Sequence, residues 1–311
     1  MSTRLRILAT AALALVTAGC ITISLFPQAM PLREKTVQGT AADKILMMDI
    51  SGVISEKGSS NPLSESEDLV ARIKEELTLA AEDSHIKALL LRVNSPGGTV
   101  TASDVIHHEI NEFKSKHKIP VVAVIMDVGA SGGYYVAVAA DKIYANAGTL
   151  TGSIGVIFQL PNLDGLMKKV GVEYVVVKAG RYKDIGNISR TMTPEERRVL
   201  QSLLDDVHAQ FISAVATGRK LDRAQVLRFA DGRIVSGAQA KDLGMIDALG
   251  GLEEAVDGAA TLAGLPKSPS VVGPRKKISI MDLLRNQLDL RGWTSVAPAL
   301  SLLRTPLYLM D

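Results

Sequence analysis

Serines and a lysine set among glycines are the residues of this chain best suited to chemistry. Ser131 stands in Gly129-Ala130-Ser131-Gly132-Gly133, after the apolar run Val121–Met126. A serine at a strand-to-helix turn gains exposure, and the helix start behind it offers free backbone N–H groups. A second turn, Ser95-Pro96-Gly97-Gly98, follows the apolar run Ile86–Val93. In an open α/β sheet, ligands bind outside the carboxyl ends of the strands. Glycines there let a substrate backbone approach closely. Ser131 therefore reads as a nucleophile, with N–H groups of Gly97 or Gly98 and of Gly132 as an oxyanion hole.

A serine needs a base. His85, His107, His108, His117 and His208 all lie outside the Gly-rich loops. Each reads as a surface or packing histidine, so a Ser-His-Asp triad is weakly supported. The alternative base is Lys183, in the loop Gly180-Arg181-Tyr182-Lys183-Asp184-Ile185-Gly186, after an expected strand Tyr174–Val177. A lysine at its usual pKa of about 10.4 is only about 0.04% neutral at pH 7. Lowering it to about 7 takes roughly 4–5 kcal/mol, with burial under apolar substrate as the source. Arg181 helps by like-charge repulsion, and Asp184 opposes if its carboxylate faces the amine. Thr151-Gly152-Ser153-Ile154-Gly155-Val156 reads as a strand with a glycine kink. Alternatively, Ser153 hydrogen-bonds the lysine amine and holds it toward Ser131.

Strands alternating with helices must position these groups. Lys44–Ile50 is an apolar run that predicts a strand, as do Ile86–Val93, Val121–Met126 and Lys142–Ala145. Ser64-x-x-Glu67 predicts a helix start ahead of Leu69, Ile73, Leu77 and Ala80. Val105, Ile106, Ile110 and Phe113 mark another helix, and Tyr134–Ala140 a third. Thr193-Pro194-Glu195-Glu196 is a capping box with proline at the first helical position. Val199, Leu203, Val207, Phe211 and Val215 follow as an apolar stripe, with Gly218 expected to end the helix. Ser236-x-x-Gln239 starts a short helix. This alternation predicts parallel βαβ units and an α/β fold. One domain over 43–265 is the simplest partition, with a linker over 27–42. Residues 266–311 read as a C-terminal extension: a packing helix, a loose end, or a segment that meets a neighbouring subunit, the membrane or the chain's own groove.

Composition narrows the class. Of 311 residues, 47% are apolar and 22% charged, as in packed globular proteins. The net charge of +2 is carried by Arg4 and Arg6; residues 20–311 hold 33 basic and 33 acidic side chains. No basic field for nucleic acid is present. The single cysteine, Cys20, excludes an intrachain disulfide, a cysteine zinc site and a cysteine nucleophile in the rest of the chain. No metal and no cofactor is expected. Arg4 and Arg6 precede the uncharged run Ile7–Phe26, an export pattern. Three readings of residues 1–26 stand. Ala18-Gly19-Cys20 resembles a bacterial lipoprotein signal with Cys20 as the lipidation point, although Thr17 departs from the aliphatic residue usual three before the cysteine. An uncleaved signal anchor is the second, since about 20 apolar residues span a bilayer. Simple cleavage and release is the third.

Taken in order, Asn94-Ser95-Pro96-Gly97-Gly98, Gly129-Ala130-Ser131-Gly132-Gly133-Tyr134-Tyr135-Val136-Ala137, Thr151-Gly152-Ser153-Ile154-Gly155-Val156 and Gly180-Arg181-Tyr182-Lys183-Asp184 resemble the signal peptide peptidase A family over about 43–262. The resemblance implies a ClpP/crotonase-like fold and a serine endopeptidase with a Ser-Lys dyad. Ser131 matches the nucleophile, Lys183 the general base and Ser153 the serine that orients the lysine; the Gly97-Gly98 turn contributes to the oxyanion hole. With one copy of the catalytic domain, the chain resembles the short form of the family. That form implies a ring-shaped homo-oligomer in which Ser131 and Lys183 come from different protomers. The implied substrates are signal peptide remnants and other apolar unfolded segments. The implied location is the extracytoplasmic side of a bacterial membrane. Two rival readings use the same fold: a membrane-associated scaffold without activity, and an acyl-CoA hydratase or isomerase.

Overall fold

The computed structural model describes residues 34–56, 60–61, 64–65, 68–274 and 307–309. The signal segment 1–26, with Cys20, lies outside them, as do residues 275–306 of the C-terminal extension. In chain order the elements are β1 (Glu34–Gln38), β2 (Lys44–Ser51), β3 (Ser60–Asn61), β4 (Ser64–Glu65), α1 (Leu69–Glu82), β5 (Ile86–Ser95) and β6 (Gly97–Thr99). They continue with α2 (Val100–His117), β7 (Val121–Ala130), α3 (Gly132–Ala137), β8 (Lys142–Ala145), β9 (Leu150–Gly152), α4 (Asp164–Lys169) and α5 (Pro194–Arg219). The last are α6 (Arg223–Val226), β10 (Ile234–Ser236), α7 (Gly237–Asp242), β11 (Ala248–Leu249), α8 (Leu252–Ala263), β12 (Ser270–Pro274) and β13 (Leu307–Leu309).

The main sheet runs β1-β12-β2-β5-β7-β8-β11, with β9 beside the end of β7 and β10 beside β9. The pairs from β12 through β11 are parallel, as is β7–β9; β1–β12 and β9–β10 are antiparallel. Strands buried on both faces need continuous apolar runs, and Ile45, Leu46, Leu89, Leu90, Leu91, Val122 and Val124 are fully buried. Helix α8 covers one face: Ala255, Val256, Ala259 and Ala260 pack on Ile45, Met47, Leu90, Val122, Val124 and Val271. Small residues let α8 lie close, and a side chain at Gly258 would strike the Tyr144 hydroxyl at 2.3 Å.

The sheet extends past the expected domain borders. β1 falls in the segment read as a linker, and β12 falls in the segment read as an extension. They pair with each other, and β12 joins β2. The described core therefore reaches from Glu34 to Pro274. Ser64 does not cap α1; it belongs to the short β3–β4 hairpin, and Asp68 caps the helix by accepting from Ala71 N–H at 3.1 Å. The expected caps at Thr193 with Glu196 and at Ser236 with Gln239 are present. In α5, Val207, Phe211 and Val215 are buried, while Val199 and Leu203 are exposed. Gly218 does not end that helix, which runs to Arg219 with Lys220 left-handed behind it. Gly218 serves contact instead: a side chain there would meet Val138 O at 2.2 Å. Tyr174–Val177 forms no strand, and Val175 and Val177 are 75% and 96% exposed. Among the described residues no helix is long and apolar enough to cross a membrane.

Candidate active site

Ser131 occupies the corner between β7 and α3 with φ 52° and ψ −120°. A non-glycine residue at positive φ is strained, and such residues persist only where the surroundings over-determine them. Here its N–H donates to Gly152 O at 2.8 Å, and its carbonyl accepts Tyr135 N–H at 2.9 Å. Its side chain is fully buried, yet Oγ has no hydrogen-bond partner among the described residues. An unpartnered buried hydroxyl is costly by about 1–3 kcal/mol. With the left-handed backbone, that makes Ser131 the point where the fold departs furthest from its own economy of contacts.

The glycines around it serve close approach. A side chain at Gly132 would meet Ser103 Oγ at 2.4 Å and Gly98 N at 3.1 Å. One at Gly98 would meet Ile54 O at 1.9 Å. Strand β6 is stitched to Ile54, whose N–H donates to Gly97 O and whose O accepts Thr99 N–H, both at 2.8 Å. Groups of successive strand residues point to opposite edges. Gly97 and Thr99 thus face Ile54, and Gly98 turns its N–H to the other edge. That edge pairs antiparallel with β13, with Tyr308 opposite Gly98. Buried Ser95 separates the two candidate glycines: its Oγ donates to Gly52 O at 2.6 Å and accepts Gly97 N–H at 3.1 Å. The Gly97 N–H is thus engaged by Ser95 Oγ in this structure. Gly132 follows Ser131 directly, and Gly98 N lies 3.1 Å from where a Gly132 side chain would begin.

Ser153 leaves β9 as Ser131 leaves β7. The register pairs Ala130 with Gly152, so the next residues along, Ser131 and Ser153, are neighbours. Both have positive φ, 52° and 50°. Ser153 N–H donates to Arg233 O at 2.7 Å. His208 of α5 buttresses this turn, with Nε2 donating to Ile154 O at 3.1 Å. The sequence held no signal for that role. The remaining histidines pair elsewhere: His85 with Asp43, His107 with Tyr135, His108 with Glu112 and His117 with Phe113. None reaches Ser131 Oγ.

Lys183 is placed apart. It lies in a run of turns over 181–186, its N–H bonded to Gly180 O at 3.2 Å and its side chain exposed. Because Ser131 Oγ is without a partner, no Ser131–Lys183 hydrogen bond forms within this chain. Two paired carboxylates follow it in the chain, Asp184 and Glu196. Arg190, then Lys178, hold the Asp184 carboxyl well below the usual carboxylate range. Arg190, then the Thr193 N–H, lower Glu196 to about 2. Among the described residues no group of three or more histidine, cysteine, aspartate or glutamate side chains could hold a metal ion.

This parallel sheet, with a strained serine at one strand end and a Gly-Gly edge at its neighbour's, is a ClpP-like α/β fold. The model of the Clp protease family matches residues 52–150. A solved ClpP1 mutant from Listeria monocytogenes is 19% identical with TM-score 0.44, covering 68% of this chain and 94% of that one. The model of peptidase family S49 matches residues 113–266. The chain is 50% identical over 184 residues to "Putative protease slr0021" of Synechocystis sp., covering 59% of this chain and 66% of that protein. It is 37% identical over 227 residues to "Putative signal peptide peptidase SppA" of Enterococcus faecium, covering 73% and 66%. To Protease 4 of Haemophilus influenzae it is 32% identical over 229 residues, covering 74% and 36%. The chain thus spans somewhat less than two thirds of the first two relatives and about a third of the other. It belongs to peptidase family S49.

Proposed function

We propose that this chain is a serine endopeptidase that cleaves extended apolar segments, signal peptide remnants among them, through Ser131 and Lys183. The observation that carries the reading is the Ser131 hydroxyl: buried, unpartnered and set at a strained strand end beside the Gly98 and Gly132 backbone. Neutral Lys183 takes the Oγ proton as Oγ attacks the peptide carbonyl carbon. The oxyanion rests on the N–H groups of Gly98 and Gly132. The lysine returns the proton to the leaving amine, and water then hydrolyses the acyl-enzyme. Ser153 orients the lysine amine. A substrate strand takes the edge of β6 that β13 occupies in this structure, displacing it.

The base comes from a neighbouring copy in a homo-oligomeric ring. Two facts support this: Ser131 Oγ has no partner among the described residues, and Lys183 follows a segment whose Val175 and Val177 lie bare to solvent. Apolar surface of that kind marks an interface. Tethering on the extracytoplasmic side of a bacterial membrane rests on the residue types of 1–26 alone.

Ser131→Ala and Lys183→Ala are each expected to lower cleavage of an apolar fluorogenic peptide by at least about 10³-fold with the fold intact. Mixed and reassembled, the two inactive variants should recover about a quarter of wild-type activity, since only one junction in four then joins an intact serine to an intact lysine. A mixture that stays dead would place both groups in one chain. Near-wild-type activity of either single variant would remove the dyad.

A further inference from the structure

Asp184 follows Lys183 directly. A carboxylate free to turn toward the amine would hold it protonated and unfit as a base. Its side chain, 10% exposed, is committed elsewhere: Lys178 Nζ donates to Oδ1, and Arg190 Nε donates to Oδ2 at 2.9 Å. Arg190 extends further. Its NH1 group donates to Glu196 Oε2 at 2.8 Å, and its NH2 group to Glu196 Oε1. NH2 also reaches Asp184 O at 3.3 Å. Glu196 closes the capping box of α5, accepting Thr193 N–H at 2.9 Å while its own N–H donates to Thr193 Oγ1 at 3.2 Å. One guanidinium therefore ties the carboxylate next to Lys183 to the first turn of a 26-residue helix.

The ion cluster matters because little else fixes this stretch. Between β9 and α5 the only regular element among the described residues is the six-residue α4. The charged groups around the loop are matched without Lys183. Asp184 is taken by Lys178 and Arg190, Glu196 by Arg190, and Glu195 by Arg198 at 2.9 Å. Arg181 stacks over the Tyr182 ring at 5.2 Å. Lys183 Nζ makes no hydrogen bond or ion pair among the described residues.

We propose that Arg190 is a positioning residue: it anchors the Lys183 loop to α5 and keeps the Asp184 carboxylate away from the Lys183 amine. This rests on the reading of Lys183 as the base. A planar fork that serves two carboxylates at once is a task for arginine rather than lysine.

The test uses the full assembled protein and the pH profile of kcat/KM on an apolar fluorogenic peptide. Arg190→Gln should lower kcat by about tenfold or more with KM changed by less than about twofold. It should also move the alkaline rise of activity to higher pH, because Asp184, then held by Lys178 alone, is able to turn toward the amine. Arg190→Gln combined with Asp184→Asn should restore the wild-type position of that rise while kcat stays low. A wild-type pH profile for Arg190→Gln would overturn the proposal, and so would an upward shift that Asp184→Asn leaves in place. Thermal unfolding of each variant separates a loosened loop from a lost fold. Lys183→Ala at wild-type activity would instead remove the underlying reading, whatever Arg190 does.

Discussion

The corner that carries Ser131 is buried and held by backbone hydrogen bonds, whereas the loop that carries Lys183 is pinned by ion pairs and largely exposed. Around Ser131 the distances are set by peptide groups. Gly152 O, Tyr135 N, Gly98 N and Ile54 O all lie within contact of the turn or its glycines. Around Lys183 they are set by side chains that reach across solvent-facing turns, and the apolar residues before it are uncovered. A nucleophile must hold its geometry to a fraction of an ångström, so it sits where packing allows no alternative. On the proposed reading a base supplied to another copy must project, and among the described residues Lys183 is exposed.

Glycine substitution is the largest way to break this contrast. Gly98→Ala places a Cβ 1.9 Å from Ile54 O, so β6 must move and carry the proposed oxyanion donor with it. Activity should fall about 10²–10³-fold. Gly180, on the other side, has φ 95° and open space around the position of a Cβ. Gly180→Ala meets backbone strain alone, of about 1 kcal/mol, and should leave kcat/KM within about fivefold. Equal losses in the two variants would show that the lysine loop is held as tightly as the serine corner.

A smaller effect is expected from charge on the uncovered stretch. Val177→Asp adds a carboxylate at a site 96% exposed in the single chain. Stability of the fold should change by less than about 0.5 kcal/mol. Sedimentation should nevertheless show smaller assemblies, with activity down about tenfold or more as Lys183 loses its seat beside the neighbouring serine. An unchanged sedimentation profile would mean that this surface does not join copies.

The same contrast explains what the sequence could reveal. The Ser131 corner was legible because its demands fall on residue type: glycine where backbones touch, apolar runs where a parallel sheet is buried on both faces, capping residues where helices begin. Thr193 with Glu196 and Ser236 with Gln239 announced their helices because a cap is a local contract between residues three apart. β1 and β12 were not legible, since their partners lie more than 200 residues apart in the chain and β1 is exposed along most of its length. Tyr174–Val177 has the composition of a strand, but composition does not say whether a ladder is within reach. The Arg190 cluster follows no motif, because Asp184, Arg190 and Glu196 meet through the path of a loop. The capture of the Gly97 N–H by Ser95 needed the turn itself to be seen.

Acid should separate the two sides, through one histidine. His107 of α2 meets the Tyr135 ring edge-on at 5.0 Å, and Tyr135, on the helix that follows Ser131, packs on Phe211 of α5 at 4.9 Å. Burial pushes His107 down to about 4, against the pull of the Asp104 carboxylate. A lowered value means that the unfolded chain binds the proton first. The stability that neutral His107 provides is complete above pH 6.5 and is lost as the pH falls toward 4. The Lys183 side is spared in that range: Glu196, lowered to about 2, keeps its contribution above about 4.5 and loses it only as the pH falls further. Between pH 7 and 4.5 the His107 contribution amounts to on the order of 2 kcal/mol, or about 5 °C in Tm. His107→Phe keeps a ring against Tyr135 and cannot take the proton. Asn111, which bonds the imidazole, retains its bond to the residue 107 carbonyl at 3.0 Å. The Tm of the variant should therefore fall less than that of the wild type over this interval, and parallel curves would show that the packing behind Ser131 does not depend on a neutral histidine.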